Sequence, residues 1–337
     1  MEKDYRFDLI RAIAIIMVVT IHSSVILFEY CALETTSVFE KAAYSLLEIR
    51  FIAVPLFVML SGALLLGKSE PIGLFFKKRL SKILLPFIVW SLIAFTISFI
   101  QEGGKTAGEW FRGFFDNVIV GMGAHSIYWY VYMIVALYLF TPVLRLLFEK
   151  ADKQHAYYFF ALMFVCTIAF LVFPDVYFFE NISCLFFEYL TYFIGGYVIY
   201  RYIINEPWFP VVSKILLGTG MLMLACRFFI TNDFGAYLHP VKLIPAFALY
   251  GLILKETPNR KILMGGGIKG SLIASLSEYS YGIYLSHFLF ISILIRIPCI
   301  KNLYPFVEFI TVTLTTLALN ILMLWVLKKI GLRKLFM

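Results

Sequence analysis

The stretch that decides the fold is "DLIRAIAIIMVVTIHSSVILF", which runs from Asp8 to Phe28. Its apolar run is long enough to cross a bilayer, whose hydrocarbon core is spanned by about 20 helical residues. The stretch nevertheless carries Arg11 near one end and His22 past its middle, with ten residues between them. Ionisable side chains inside a membrane are energetically costly and mark functional sites. The stretch therefore predicts both a membrane-spanning helix and a site along it.

The composition extends this prediction to the whole chain. The protein has 337 residues, of which 61% are hydrophobic and 15% charged, and its mean hydropathy is +0.87. A soluble domain carries about 25% charged residues. We expect a single all-α, integral membrane domain over residues 1–337, with a first span that is not a cleaved signal peptide. The five cysteines are scattered and no histidine pair has ligand spacing, so no metal site is predicted.

Windows of about 20 apolar residues predict ten transmembrane spans. They cover residues 8–28, 42–66, 80–100, 127–148, 156–173, 182–204, 209–230, 239–255, 280–298 and 303–327. Proline and glycine mark several of their edges. Residues 101–126 form the longest predicted outer loop, and residues 256–279 form the longest inner loop.

The basic residues predict the orientation of these spans. With the N-terminus in the cytoplasm, twenty of the 29 Lys and Arg residues lie in inner segments and only five in outer loops. Cytoplasmic loops of membrane proteins carry such an excess, so both termini are expected inside. The formal net charge of +8 is thereby explained by topology, and no nucleic-acid partner is predicted.

Intramembrane polar residues fall into two layers when each is placed by the helical rise of about 1.5 Å per residue. His22 lies roughly 16 Å deeper than Arg11, in the outer half of the bilayer. The expected outer layer holds His22, Glu48, Arg50 and Glu188, with Arg227, Lys242, His125 and His239 a little above. The expected inner layer holds Arg11, Arg79 and Lys82, with His287 in the inner half of the ninth span.

The outer layer suits general-base chemistry. A histidine beside a carboxylate can deprotonate a hydroxyl, because the carboxylate orients the ring and stabilises its charged form. We expect His22 to be the base and Glu48 its carboxylate, with Glu188 as the alternative. Arg50 could instead bind Glu48 as a plain ion pair, and a lone histidine in a span could be a hydrogen-bonded packing residue.

The inner layer suits a phosphate-bearing ligand. In "FFKKRLSKILLP", Arg79 and Lys82 are three residues apart and share one helix face. Cations of this kind bind phosphate, although they could also extend towards lipid headgroups. A ligand that joins both layers needs a polyanionic head and a long thin arm with a reactive end. Acyl-CoA has this shape.

Five motifs in order along the chain resemble those of the membrane acyltransferase 3 family. They are "RAIAIIMVVTIH" (Arg11–His22), "RFIAVPLFVMLSGALL" (Arg50–Leu65), "KRLSKILLP" (Lys78–Pro86), "HSIYWYVYMIVALYLFTPVL" (His125–Leu144) and "SEYSYGIYLSHFLF" (Ser277–Phe290). Lys82 stands where the family often has arginine. The ten-helix layout of this family, with both ends inside, agrees with the spans above.

This resemblance implies transfer of an acyl group, usually acetyl, from cytoplasmic acyl-CoA to a hydroxyl on an envelope glycan or its lipid-linked precursor. His22 matches the family's key histidine, and Arg11, Arg79 and Lys82 match positions associated with the donor. Further substrate contacts are expected from Arg50, Trp129, Tyr130, Glu188, Tyr284 and His287. The implied setting is the bacterial inner membrane, with membrane lipid as a partner, acyl-CoA as co-substrate and no permanently bound cofactor. The sequence leaves open whether the protein forms a homo-oligomer.

The main rival hypothesis is a transporter of a small polar solute such as serine, since intramembrane charges also mark transport pathways. Broken helices with paired glycines would favour it, and Gly195-Gly196 lies inside the sixth predicted span. A membrane scaffold is a third hypothesis, but it explains His22, Glu48 and Arg50 poorly.

Overall fold

Helices make up nearly all of the chain that the structure, a computed structural model, describes. The described residues are 4–27, 37–101, 103, 106–119, 126–172, 184–230, 240–258 and 268–337. No strand occurs within these ranges, which confirms the all-α prediction. His125 and His239 lie outside the described residues, and so does the side chain of Arg227.

The helices are numbered here in chain order. Their bounds are α1 Arg6–Ser23, α2 Val38–Leu46, α3 Ala53–Leu65, α4 Ile72–Gln101, α5 Ala107–Phe114, α6 Trp129–Lys150, α7 Lys153–Val172, α8 Cys184–Arg201, α9 Phe209–Ile230, α10 Pro240–Glu256, α11 Ile268–Leu294, α12 Pro298–Lys301, α13 Pro305–Lys329 and α14 Arg333–Phe336. Among the described residues, four helical segments meet both the length and the apolarity needed to cross a membrane. They are Leu47–Leu65, Ile72–Gln101, Trp129–Lys150 and Pro305–Lys329. The count of ten spans and the cytoplasmic termini stay predictions.

The second predicted span is not a uniform α-helix. A 3₁₀ segment, Leu47–Ile52, connects α2 to α3 and carries Glu48 and Arg50. A 3₁₀ turn is tighter than an α-helical turn and rises about 2.0 Å per residue, so side chains on it point in directions that an α-helix does not offer. Mid-helix 3₁₀ segments often mark functional or strained positions.

Two helices begin well before the predicted spans. α4 begins at Ile72 rather than at residue 80, and α11 begins at Ile268 rather than at residue 280. A hydropathy window detects only the apolar part of a helix, whereas lysine, glutamate and serine near its start still adopt helical structure. The 30 residues of α4 span about 45 Å, more than a bilayer core requires.

The interior has two main apolar clusters. One lies around α3 and α8, where Tyr189, Tyr192 and Phe193 are among the largest fully buried side chains. The other lies between α1, α11 and α13, which pack against one another. After a left-handed turn at Gly331, α14 folds back against α4, and the Trp90 indole donates a hydrogen bond to the Phe336 carbonyl. These two clusters hold the helices that form the site.

Glycines allow α3 and α8 to approach closely. A Cβ atom on Gly62 would lie 1.7 Å from the Phe193 carbonyl oxygen, and one on Gly196 would lie 2.1 Å from the Met59 carbonyl oxygen. Small residues at helix contacts are the usual means of tight packing in membranes. α8 continues without a break through Gly195-Gly196. These glycines therefore serve packing, and they do not form the broken helix that the transporter hypothesis expected.

We expect Gly62→Ala and Gly196→Ala each to lower the melting temperature of the detergent-purified protein. The added methyl meets backbone atoms, which cannot move aside without separating the helices, and overpacking of this kind costs about 1–3 kcal/mol or more. Gly218→Ala is the matched control, because nothing lies within 4 Å of a Cβ there and alanine favours the helix. Equal melting temperatures for all three variants would contradict the close packing.

Candidate active site

A cavity of about 340 Å³ lies among α1, α3, α4, α6 and α11. Five residues that the sequence predicted as substrate contacts line it: Arg11, Arg79, Lys82, Tyr130 and Tyr284. They come from four different helices, so the fold has gathered residues that are up to 273 positions apart in the chain. Ser61, Tyr138, Ser280 and Tyr281 also line the cavity, although the sequence analysis did not single them out.

One end of this cavity is cationic. Arg11 forms an ion pair with Asp8 at 3.0 Å, and the same Asp8 oxygen accepts a hydrogen bond from Ser277 at 2.6 Å. None of the ion pairs found among the described residues involves Arg79 or Lys82. The Nε atom of Arg79 is buried and has no hydrogen-bond partner. Two cations thus line the cavity without a neutralising carboxylate in contact.

A second cavity of about 500 Å³ adjoins the cationic end, because Arg11 and Leu64 line both. Its other charged lining residues are Asp4, Asp8, Lys68 and Arg201. Burial lowers the pKa of the Lys68 ammonium, and the nearby Arg79 charge lowers it further. The positive potential of the cationic end therefore extends to the loop between α3 and α4.

The opposite end of the first cavity is aromatic. The rings of Tyr130 and Tyr284 lie 5.3 Å apart between centroids. The Tyr284 hydroxyl donates to the Ile127 carbonyl, and the Tyr128 hydroxyl donates to the Leu285 carbonyl at 3.0 Å. These two hydrogen bonds fasten the start of α6 to the middle of α11 and close this end of the cavity.

A pair of histidines lies next to the aromatic end. The rings of His22 on α1 and His287 on α11 are 4.9 Å apart between centroids. Nδ1 of His287 lies 2.7 Å from the Tyr284 carbonyl and 3.1 Å from that of Ile283. Since carbonyls only accept, Nδ1 carries the proton and Nε2 keeps its lone pair. Nε2 is buried and has no hydrogen-bond partner.

The depth predicted for His287 was wrong. The ring contact with His22 places His287 at the level of His22 rather than in the inner layer. α11 begins at Ile268, so His287 lies nineteen residues, roughly 28 Å, along the helix. The error arose because the apolar window began twelve residues too late.

Glu48, Arg50 and Lys242 form a buried charge network. Glu48 lies 3.4 Å from the guanidinium of Arg50 and 3.2 Å from the ammonium of Lys242. All three side chains are at most 4% exposed. Both cations also lie over the Phe51 ring, at 4.7 and 4.0 Å from its centroid. The ion pair of Glu48 with Arg50, which the sequence left as an alternative, is therefore present, and Lys242 is a partner that the sequence did not identify.

Glu188 belongs to the same region, not to the lining of the 340 Å³ cavity. Its carboxyl lies close enough to Lys242 and to Tyr192 to interact with both electrostatically. The described ring contacts of His22 are with His287 and Phe288. Trp129 packs its ring against Tyr189, at 5.4 Å between centroids. The pairing of His22 with Glu48 or Glu188 stays a prediction.

The sequence profile of the acyltransferase domain family matches residues 4–325. The chain belongs to the membrane acyltransferase 3 family. The match contains every predicted site residue, from Arg11 to His287. Comparison with curated proteins and with solved structures gives no match. Family membership and the apolar helices together identify a multi-pass integral membrane acyltransferase.

We expect Glu48→Gln to destabilise this acyltransferase strongly, because it leaves two buried cations without their carboxylate. Removing one member of a buried ion pair typically costs about 3–5 kcal/mol. The double variant Glu48→Gln/Lys242→Met should recover part of the loss, since it returns the net charge of the network from +2 to the original +1 and leaves only one unpaired cation. Melting of the purified variants measures this, with the exposed Glu149→Gln as control. A Glu48→Gln protein as stable as the parent would contradict the network.

Proposed function

We propose that this membrane acyltransferase takes an acyl group, with acetyl as the first candidate, from a cytoplasmic acyl-CoA. It transfers that group to a hydroxyl of an envelope glycan or of a lipid-linked glycan precursor. The observation that carries the proposal is the shape of the 340 Å³ cavity. This cavity joins a cationic end at Arg11, Arg79 and Lys82 to an aromatic end next to His22 and His287.

The cationic end fits the phosphates of the donor. Arginine offers a planar fork of donors that matches phosphate oxygens, and lysine adds a compact charge. The buried Nε atom of Arg79 has no hydrogen-bond partner in the protein, and a phosphate oxygen would supply one. The thin arm of the donor then follows apolar side chains, among them Val18, Ile83 and Ile134, towards Tyr130 and Tyr284. The thioester arrives at the aromatic end, beside the histidine pair.

His22 acts as the general base in this proposal. The acceptor hydroxyl oxygen attacks the thioester carbonyl carbon, and its proton passes to the imidazole of His22. When the tetrahedral intermediate collapses, the carbon–sulfur bond breaks and the imidazolium returns the proton to the leaving thiolate. The products are an ester and free CoA, so atoms and charge balance.

For the partner of His22, the contacts favour His287 over Glu48. The lone pair of His287 Nε2 can accept the N–H of His22, which leaves the other nitrogen of His22 free to take a proton. The Glu48 carboxylate already forms ion pairs with Arg50 and Lys242, and both cations stabilise its negative charge. His287 is therefore a positioning residue in this proposal, and Glu48 acts through the buried charge network.

We expect Arg79→Ala/Lys82→Ala to weaken CoA binding by at least about tenfold. Losing a charged hydrogen bond to phosphate costs on the order of 1.5–3 kcal/mol. Isothermal titration of purified protein with CoA measures the affinity. Lys77→Ala is the matched control, because Lys77 is an exposed cation on α4 that does not line the cavity. Unchanged CoA affinity in the double variant would assign both cations to lipid headgroups.

We expect His22→Ala to lower acyl transfer by about 10²–10⁴-fold, the usual contribution of a general base, with CoA affinity unchanged. His287→Gln should lower transfer less and shift the pH profile, because an amide can orient His22 but cannot share its positive charge. His155→Ala, at an exposed histidine, is the control.

The same transfer assay distinguishes between the candidate partners of His22. If Glu48→Gln/Lys242→Met folds and transfers acyl groups normally, Glu48 is not the partner of the base. Near-normal transfer by His22→Ala would reduce His22 to a packing residue. Movement of a polar solute without consumption of thioester would replace the enzyme proposal with the transporter hypothesis.

A further inference from the structure

A third space borders α11 on the face next to the donor cavity. It is a groove of about 290 Å³ between the C-terminal halves of α4 and α11, here called the outer groove. Its walls carry aliphatic side chains. Its polar and aromatic lining residues are Trp90, Ser98, Gln101, Tyr128, Ser292 and Arg296. The volume is at the small end for ligand sites, so it suits one compact group rather than a long chain.

The inner end of the outer groove is separated from His22 by the Phe288 ring. Phe288 lines the groove and also meets the His22 ring edge-on, at 6.2 Å between centroids. Leu285, which lines the same inner end, lies two residues before His287. The donor cavity approaches the pair from an adjoining face of α11, through Tyr284. The Tyr128 and Tyr284 hydrogen bonds described above form the wall between the two spaces.

The far end of the outer groove is positively charged. Arg296 is exposed and lies nine residues, or roughly 13 Å, beyond His287 in the direction of α11. None of the ion pairs found among the described residues involves it. In the predicted topology this end faces the outer surface. An arginine in this position recognises an anionic group, and phosphate or carboxylate both match its fork of donors.

We infer that the outer groove is the acceptor site and that its ligand is a hydroxylated ring compound with an anionic substituent. The inference rests on the proposed function. Trp90 and Tyr128 offer flat surfaces to the ring, while Ser98, Gln101 and Ser292 hydrogen-bond its hydroxyls. Arg296 binds the anionic group, and the reacting hydroxyl points inward to His22. The Phe288 ring stands between that hydroxyl and the base, so its displacement admits the acceptor.

Filling the groove tests the assignment. Ser292→Trp should lower incorporation of radiolabelled acetyl groups from acetyl-CoA into an envelope glycan extract by about tenfold or more. It should leave CoA affinity unchanged, because Ser292 does not line the donor cavity. Leu314→Trp is the matched control, since Leu314 is 61% exposed on α13 and lines neither space. Ser98→Phe, from the opposite wall, gives a second filled groove if Ser292→Trp does not fold.

The outcomes distinguish a failure of the proposed function from a failure of the acceptor-site assignment. If the parent protein incorporates no acetyl at all, the proposed function fails. If the parent is active and both filled variants retain full incorporation, the outer groove is not the acceptor site. Loss of CoA affinity in the filled variants would overturn the separation of the two spaces.

Arg296→Gln tests the anionic group. The extract is divided by anion exchange into acidic and neutral glycans, and each fraction is offered as acceptor. We expect incorporation into the acidic fraction to fall by about tenfold while incorporation into the neutral fraction is unchanged. An equal effect on both fractions, or no effect on either, would overturn the role of Arg296 and assign its charge to lipid phosphates.

Discussion

The contact between α1 and α11 is the constraint on which the site depends. Near the start of α1, Asp8 accepts hydrogen bonds from Ser277 of α11 and from Arg11. Near its end, His22 meets His287. The hydrocarbon interior of a bilayer offers no water to replace a lost polar partner. Sliding one helix past the other would therefore break contacts at both ends, and the register of this helix pair is fixed by its polar residues.

Polar contacts also hold α13 against α1 and α11. The hydroxyls of Ser23 and Thr313 are 2.6 Å apart, and Ser286 donates to Asn320, whose amide in turn donates to the Thr316 carbonyl. These residues hold α1 and α11 from the side opposite the donor cavity. The histidine pair is thus placed by three helices, which is a condition for a base that must meet its substrate within a few tenths of an ångström.

The helical period of α11 explains how one helix serves two spaces. Ser280, Tyr281 and Tyr284 face the donor cavity, whereas Leu285, Phe288, Ser292 and Arg296 face the outer groove. Leu289 and Ile293 line the groove as well, so each set recurs at spacings of three and four residues along a broad strip of the helix. At about 100° per residue, His287 lies on the donor side, about 60° around the helix from Tyr284, whereas Phe288 lies on the groove side. The His22 ring contacts both His287 and Phe288. His22 can therefore act on a donor from one space and a hydroxyl from the other, while the tyrosine hydrogen bonds keep the two spaces separate.

The sequence could predict position along a helix much better than position around the bundle. Counting residues from an apolar edge placed Arg11 and Arg79 in one layer, and both line the same cavity. It failed for His287 because the apolar edge of α11 was not its first residue. Counting could not show that Lys242 binds Glu48, since a depth does not say which helices are neighbours.

Arg11, Arg79 and Lys82 were selected by depth and charge, whereas the two cavity tyrosines owed their selection to the family motifs. The motif resemblance picked out Tyr130 and Tyr284, but only the fold shows that their rings meet. The polar residues of α13 had a signal that was not used: Thr313, Thr316 and Asn320 recur at spacings of three and four, as one face of a helix requires.

Two buried atoms show why polar groups without a protein partner are informative here. Nε of Arg79 and Nε2 of His287 lie at opposite ends of the path proposed for the donor, and neither has a hydrogen-bond partner. Each such group costs about 1–3 kcal/mol, more when charged. The ion pairs of the Glu48 network offset part of a similar desolvation cost, although Nε and Nη1 of Arg50 also lack a hydrogen-bond partner. Nε of Arg79 can still donate a hydrogen bond, which a bound phosphate would accept. Nε2 of His287 can still accept one, which the base His22 would donate.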